Sequence, residues 1–339
     1  MANIRDVAEA AGVSVQTVSN VINGRHLMRP ETLVRVQQVM RDLRYQPSRV
    51  AQGMRRQSSQ ALGLILSDPN PRGLADPFYG EVLAGLSSVT REHNYSLVIH
   101  YLSAAPQPKD FLVPFETRQI DAAVVFVSGV SESQSALLRG LARSEHVFAV
   151  LEREVKGANA YSVLAANFDG AQSATQALVA SGHQRIAFLD SAQRWPAVDL
   201  RRKGYEAAMH AAGLEKHAAV ISGLDWTAEG GTRAVEHTLR ARGRRAGPTA
   251  IVAASDLLAV GALQAIKALK LRVPQDIALI GFDDFEFARY VEPALTTVRL
   301  PVMEMGIRAA ELMLNHLRGK PAQQRSVVLP TQLIHRQSS

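Results

Sequence analysis

Between Val13 and Arg25 the chain reads VSVQTVSNVINGR, and Val18, Val21 and Ile22 fall at the i, i+3, i+4 spacing of one buried helical face. That leaves Gln16, Ser19 and Asn20 on the opposite side. A carboxamide presents a donor and an acceptor side by side, which suits the N6 and N7 edge of adenine; the other reading of such a face is plain hydration. A second pair stands far downstream, Arg201 in RRKGY and Asp283 in GFDD. A guanidinium fork and a carboxylate suit vicinal hydroxyls, carboxylates or phosphates on a small ligand, or a simple ion pair. Covalent chemistry has little to work with: the chain has no Gly-x-Ser-x-Gly elbow, no His-Glu-x-x-His, no phosphate-cradling glycine loop and no cysteine. Its ten histidines are scattered, and His183 in SGHQRIAFL falls in a turn before a strand, a structural place. Binding is expected, with no catalytic residues, no metal site and no cofactor.

The 339 residues, 47% hydrophobic, suffice for two or three folding units. No apolar run reaches the length of a membrane span, and MANIRDVAEAAGV carries acids where a signal peptide needs a basic start and an apolar core. A cytoplasmic location without membrane contact is expected. The net charge of +7 is uneven: residues 1–60 hold nine arginines against four acids, so +5 of the excess lies there. Such a head suits a polyanion, because each neutralised phosphate releases counterions; a solvated basic face is the alternative.

The elements around Gln16 and Asn20 follow from local signals. Asn3 is placed to cap a first helix with Asp6 in its first turn, and Gly12 ends it. Val13 plugs the turn, Ser14 caps a second helix from Val15, and a third begins near Pro30 with the stripe Leu33, Val36, Met40, Leu43 before YQP stops it. This is a helix, a tight turn and a second helix, with a third to close a small core. The segment SRVAQGMRR, 48–56, is too short to persist as a free helix, and Gly53 costs it about 1 kcal/mol relative to alanine. By itself it reads as a flexible basic linker.

IRDVAEAAGVSVQTVSNVING and RPETLVRVQQVMRDLRYQPSRVA together resemble the N-terminal domain of the lactose-repressor (LacI/GalR) family of bacterial transcription regulators, and the resemblance continues through the hinge over essentially the whole chain. It implies that Val15, Gln16 and Asn20 read bases in the major groove of an operator, with Ser14, Thr17 and Ser19 positioning the head on phosphates. It implies that two copies of the hinge fold in the minor groove, where Met54 takes the place of the family's wedge leucine and Ala51 and Arg55 lie beside it. Arg29 departs from the family's small capping residue and Arg44 from its frequent glycine. The family reading implies a homodimeric, nucleoid-associated repressor on a pseudo-palindromic double-stranded DNA operator, controlled by a sugar-like small-molecule effector. A corepressor-dependent or dual activator and repressor has the same sequence outline; a sugar-acting enzyme is the distant alternative.

From Ala61 onward, short apolar runs (ALGLIL, SLVIHYL, AAVVFV, HVFAVLE, RIAFLD, AAVISG, AIVAAS, IALIGF) alternate with amphipathic stretches at 78–93, 170–181, 197–212, 228–241 and 256–269. Alternation of this kind predicts parallel, doubly wound α/β sheets covered by helices. The resemblance resolves them into two lobes like those of periplasmic binding proteins, behind an α-helical helix-turn-helix head. The expected organisation is a head at 1–47, hinge helix and linker at 48–60, one lobe at 61–162 and 294–325, and the other at 163–293 and 326–339. Ligands of open α/β sheets bind beyond the carboxyl ends of the strands, hence between the lobes. There the resemblance places Arg201 and Asp283 first, then Trp226, whose ring either stacks on effector or packs, and then Phe78, Tyr79, Phe126, Glu152 and Ser255. Three departures from the family, Ser255 for asparagine, Ala166 in ANFDG and a long SDPNPRGLADPF loop, bear on which ligand fits.

Overall fold

A computed structural model describes residues 2–22, 28–45, 58–67, 76–102, 107–127, 129, 132–192, 194–223 and 225–339. The hinge residues Ala51, Met54 and Arg55 lie outside the described residues. The chain divides into two compact units, 1–60 and 61–339.

In the first unit, helix α1 (Ile4–Ala10) opens as expected: Asn3 Oδ1 accepts from the N–H groups of Arg5 (2.8 Å) and Asp6 (3.3 Å), and the Asp6 carboxylate accepts the Asn3 N–H at 2.7 Å. This reciprocal cap satisfies donors that a short helix otherwise leaves to water. Gly12 turns the chain at φ +62. Ser14 Oγ then accepts the Thr17 N–H (3.1 Å) to start α2 (Val15–Ile22). Helix α3 (Pro30–Asp42) begins behind Arg29, which makes no side-chain cap bond, and Arg44 takes a left-handed φ of +47 just past its end. Val7, Ala8, Ala11, Val18, Val21 and Val36 form the buried core of this unit.

The second unit holds two six-stranded sheets. The strands of the first are β1 (Ala61–Ser67), β2 (Ser96–Tyr101), β3 (Ala122–Val127), β4 (Val147–Leu151), β5 (Ala160–Ala165) and β11 (Ser326–Leu329), in the order β11-β5-β4-β3-β1-β2, all parallel. Those of the second are β6 (Ile186–Ser191), β7 (Ala219–Gly223), β8 (Ala250–Ala253), β9 (Ala278–Asp283), β10 (Thr296–Arg299) and β12 (Gln332–Ile334), in the order β12-β10-β9-β8-β6-β7. Among the described strands only the edge strand β12 runs antiparallel to its neighbour, because it follows β11 after two residues, too few for a crossover helix.

Helices α4 (Pro77–Glu92), α5 (Pro108–Glu116), α6 (Glu132–Ala142) and α11 (Val302–Leu317) belong with the first sheet, and α7 (Asn167–Ala180), α8 (Pro196–Ala211), α9 (Ala228–Ala246) and α10 (Asp256–Ala268) with the second. The chain changes lobe after Ala165, between Arg299 and Val302, and between Leu329 and Gln332. Each crossing lies beyond the expected 162, 293 and 325. The correction has one cause: residues 160–165, 296–299 and 326–329 each extend a ladder of the sheet the chain is about to leave. None of the helices among the described residues is long and apolar enough to cross a membrane.

Three helix pairs, α4 with α11, α7 with α8 and α9 with α10, close on glycine. A Cβ on Gly204 of α8 would sit 2.2 Å from the carbonyl oxygen of Phe168 in α7, and Gly85 and Gly261 meet backbone carbonyls of their partner helices in the same way. Alanine in a helix ordinarily stabilises relative to glycine by about 1 kcal/mol. Gly204→Ala is expected to do the reverse, lowering the stability of the second unit by about 2 kcal/mol through overpacking, as read from the calorimetric melt; an unchanged or higher melting temperature contradicts this packing.

Candidate functional site

The polar side of α2 is built by its own sequence. Gln16 is exposed and Asn20 half-exposed, and Gln16 Nε2 donates to Asn20 Oδ1 at 3.1 Å, one helical turn apart. Two carboxamides thus share one face, each with a donor and an acceptor to turn outward. Val15 is partly buried against the core of the unit, and the hydroxyls of Ser14 and Thr17 lie 3.0 Å apart at the helix start. Ser19 does not belong to this face: it is only 4% exposed. At i+4 from Val15 and next to Val18, it follows the core edge of the helix.

In the second unit a cleft of about 70 Å³ opens at the carboxyl ends of the strands. Phe78 and Tyr79 reach it from α4, Phe126 from the end of β3 and Glu152 from just past β4; Trp226 follows β7, Arg201 comes from α8, and Asp283 ends β9. Arg201 is 5% exposed and fully engaged along two nitrogens. Its Nε donates to Asn167 Oδ1 at 2.7 Å, and its Nη1 donates to the Ala254 carbonyl at 2.6 Å and to Asp283 Oδ1 at 3.2 Å. Its guanidinium carbon sits 3.9 Å over the Phe282 ring. A fork held from three sides by acceptors and from below by a ring is pre-organised for a ligand.

Glu152 extends the network, accepting the Ala165 N–H at 2.8 Å and an Asn167 amide proton at 2.5 Å. Burial pushes its carboxyl upward against the opposing pull of Arg201. Asp283 is likewise pushed well above the ordinary carboxylate range, first by burial and then by Asp256 and Asp76, with Arg201 acting the other way. Glu152 at φ +57 and Asp283 at φ +121 occupy backbone regions that side chains rarely adopt, a cost of about 1–3 kcal/mol each that clusters where a ligand is held.

One residue expected beside Arg201 stands differently. Ser255 is 1% exposed and does not line the cleft; its Oγ accepts the Leu258 N–H at 3.2 Å as the N-cap of α10. A serine in that backbone position is used up by the cap. Conversely, Trp195 and Asn167 belong to the site and carried no nomination. Trp195 precedes α8, lines the cleft, and stacks on Trp226 with centroids 6.4 Å apart. Its signal was available in the sequence, since it stands six residues before Arg201 at the start of the same helix and is one of only two tryptophans. Among the described residues no group of three or more His, Asp or Glu is arranged to hold a metal ion.

Comparison with known proteins gives the same two-part outline. Residues 3–48 match bacterial regulatory proteins of the lacI family, and residues 175–339 match a periplasmic binding protein-like domain. The chain is 31% identical to the ribose operon repressor of Haemophilus influenzae, covering 100% of this chain and 98% of that one. It is 32% identical to the HTH-type transcriptional regulator GalS of Salmonella typhimurium, covering 94% and 91%. Similar solved structures include a lac repressor dimer bound to operator and the anti-inducer ONPF (TM-score 0.85, 26% identity, 99% and 98% covered) and a complex of the regulator CelR with cellobiose (TM-score 0.72, 27% identity, 100% of both).

Behind the cleft, Asp256 accepts from Thr297 Oγ1 at 2.6 Å and from the Phe285 N–H at 3.0 Å, and burial pushes its carboxyl up to about 7. Between the ordinary value of 3.8 and that value the folded chain keeps a proton that the unfolded chain releases. Stability therefore falls as pH rises through this window and levels off above it. Asp256→Asn is expected to flatten that part of the melting-temperature profile; an unaltered slope between about pH 5 and pH 7 rules out this residue as its source.

Proposed function

The chain belongs to the lacI family of bacterial regulatory proteins, and we propose that it works in the cytoplasm, at the nucleoid, as a dimeric repressor released or engaged by a sugar-like effector. It is a DNA-binding regulator of transcription. In this reading Val15, Gln16 and Asn20 address base edges in each half of a pseudo-palindromic operator, while Ser14 and Thr17 fix the head on phosphates. Ala51, Met54 and Arg55 of the hinge suit the minor groove at the operator centre, with Met54 as the wedge.

The observation that carries the sensor half is the buried Arg201, bonded to Asn167 and Asp283 inside a cleft lined from both lobes. Hydroxyls of an effector meet a guanidinium fork and carboxylates there, and ring faces meet Phe78, Tyr79, Phe126 and Trp226. A ligand that contacts both lobes binds one relative lobe orientation better than another, and that difference in affinity is what shifts the dimer between DNA-competent and DNA-incompetent states. Regulation of this kind returns the effector chemically unchanged.

Selection of DNA from a random library by the full-length protein is expected to yield a pseudo-palindromic site. Binding to that site should weaken by about a thousandfold or more between roughly 50 mM and 200 mM salt, and a flat salt response contradicts the basic head. Arg201→Ala should keep operator affinity while the effector's influence on it drops by at least about tenfold; a retained response places the effector elsewhere.

A further inference from the structure

The cleft has more aromatic wall than one sugar ring uses. Trp226 lies 6.4 Å from Trp195, Trp195 5.3 Å from Phe126, and Phe126 5.6 Å from Phe78, all between ring centroids. The rings form a contiguous aromatic chain that begins in the second lobe and ends in the first. Sugar C–H faces and flat rings both gain from such a surface, and each additional ring buries more apolar area on it.

The charges in the same cleft are unbalanced. Among the described residues three carboxylates line it, Asp76, Glu152 and Asp283, against one cation, Arg201, and no lysine or histidine. Arg201 is already bonded to Asn167, Asp283 and the Ala254 carbonyl. A phosphate or carboxylate entering here meets Asp76 and must compete with Asp283 for Arg201, in a site too buried for water to screen the repulsion. A cation meets Arg201. An uncharged hydroxyl has neither difficulty, since it donates to a carboxylate and accepts from the guanidinium.

We propose that the effector is an uncharged glycoside of two rings: the hydroxyls of one ring are bound by Arg201, Asp283, Asp76 and Glu152, the second ring lies on Trp195 and Trp226, and the acids exclude phosphorylated and acidic sugars. The proposal rests on the cleft being the effector site. Trp195 sets ring number and Asp76 sets charge selectivity. Asp76 also caps α4, its Oδ1 accepting the Phe78 N–H at 2.9 Å, a bond that asparagine reproduces.

The chain contains two tryptophans, both in this cleft, so the intrinsic fluorescence of the full-length protein reads this site directly. The titration uses cellobiose, maltose, lactose, sucrose and phenyl glucoside, then glucose, galactose, glucose 6-phosphate, maltose 6′-phosphate and glucuronate. At least one uncharged two-ring compound is expected to shift the fluorescence and to bind at least about tenfold tighter than its single ring. A phosphorylated counterpart should bind about a hundredfold more weakly. Trp195→Leu should weaken the two-ring compound by about tenfold and the single ring by less than about threefold, a split that loss of fold does not produce. Asp76→Asn should raise affinity for the phosphorylated sugar by about tenfold.

The proposal is overturned if a charged or one-ring sugar binds as tightly as any uncharged two-ring compound, or if no member of the panel binds. A charged effector whose action on DNA binding is lost in Arg201→Ala overturns the ligand class alone. An effector that acts on DNA binding with no change in tryptophan fluorescence, and equally well on Arg201→Ala, overturns the site and the proposal together.

Discussion

Two adjacent carboxylates at the end of β9 tie the sensor together. Asp283 meets Arg201 in the cleft, and Asp284 meets Arg299 Nε at 2.8 Å and Arg336 Nη2 at 2.5 Å. Both acids sit at positive φ, so one strained dipeptide aims two side chains at different partners. Arg299 ends β10, where the chain leaves for the first lobe, and Arg336 follows β12, where it has returned. Charges this deep are stable only with their partners, because removing one leaves the other desolvated and uncompensated. A ligand that draws on the Asp283–Arg201 pair therefore acts next to the ion pairs that fix two of the three lobe crossings. The cleft and the crossings share a single stretch of backbone.

The lobes flanking those crossings are stiff. Each outer helix pair approaches through a glycine whose missing Cβ lets backbones touch, and interiors packed in this way have two arrangements or one, seldom a continuum. Thr297 and Ser338 hold the ends of the second sheet: Thr297 donates to Asp256 behind the cleft, and Ser338 Oγ accepts the Thr296 N–H at 2.8 Å.

Much of the head was legible because its signals are local. The Asn3–Asp6 cap, Gly12 and the Val18–Val21 stripe depend on residues within a turn or two, and the structure contains all three. The alternation of buried strands and amphipathic helices was equally plain. What the sequence hid depends on distant neighbours. Strands 160–165, 296–299, 326–329 and 332–334 are short or polar, and their identity comes from the ladder they join. Arg201 and Asp283 stand out by pattern; Asn167, which orients the guanidinium, does not, although ANFDG departs from the family at its neighbour Ala166. Ser255 misled in the opposite direction: its place in the chain suggested the cleft, and its hydroxyl is committed to the helix it begins. Ser19 reads as polar by type and is buried by position.

The strand order also dictates when each part of the molecule can exist. The first sheet ends on β11 at residues 326–329, the second on β12 at 332–334, and Ser338 Oγ donates to Leu279 at 2.6 Å. Synthesis runs from the N-terminus, so the three-helix head, whose core lies within the first forty-five residues, has all its parts while most of the sensor is still unmade. Both lobes wait for residues 326–338, which complete their two sheets within a few residues of one another. A nascent chain thus holds a complete head before either half of its sensor is whole.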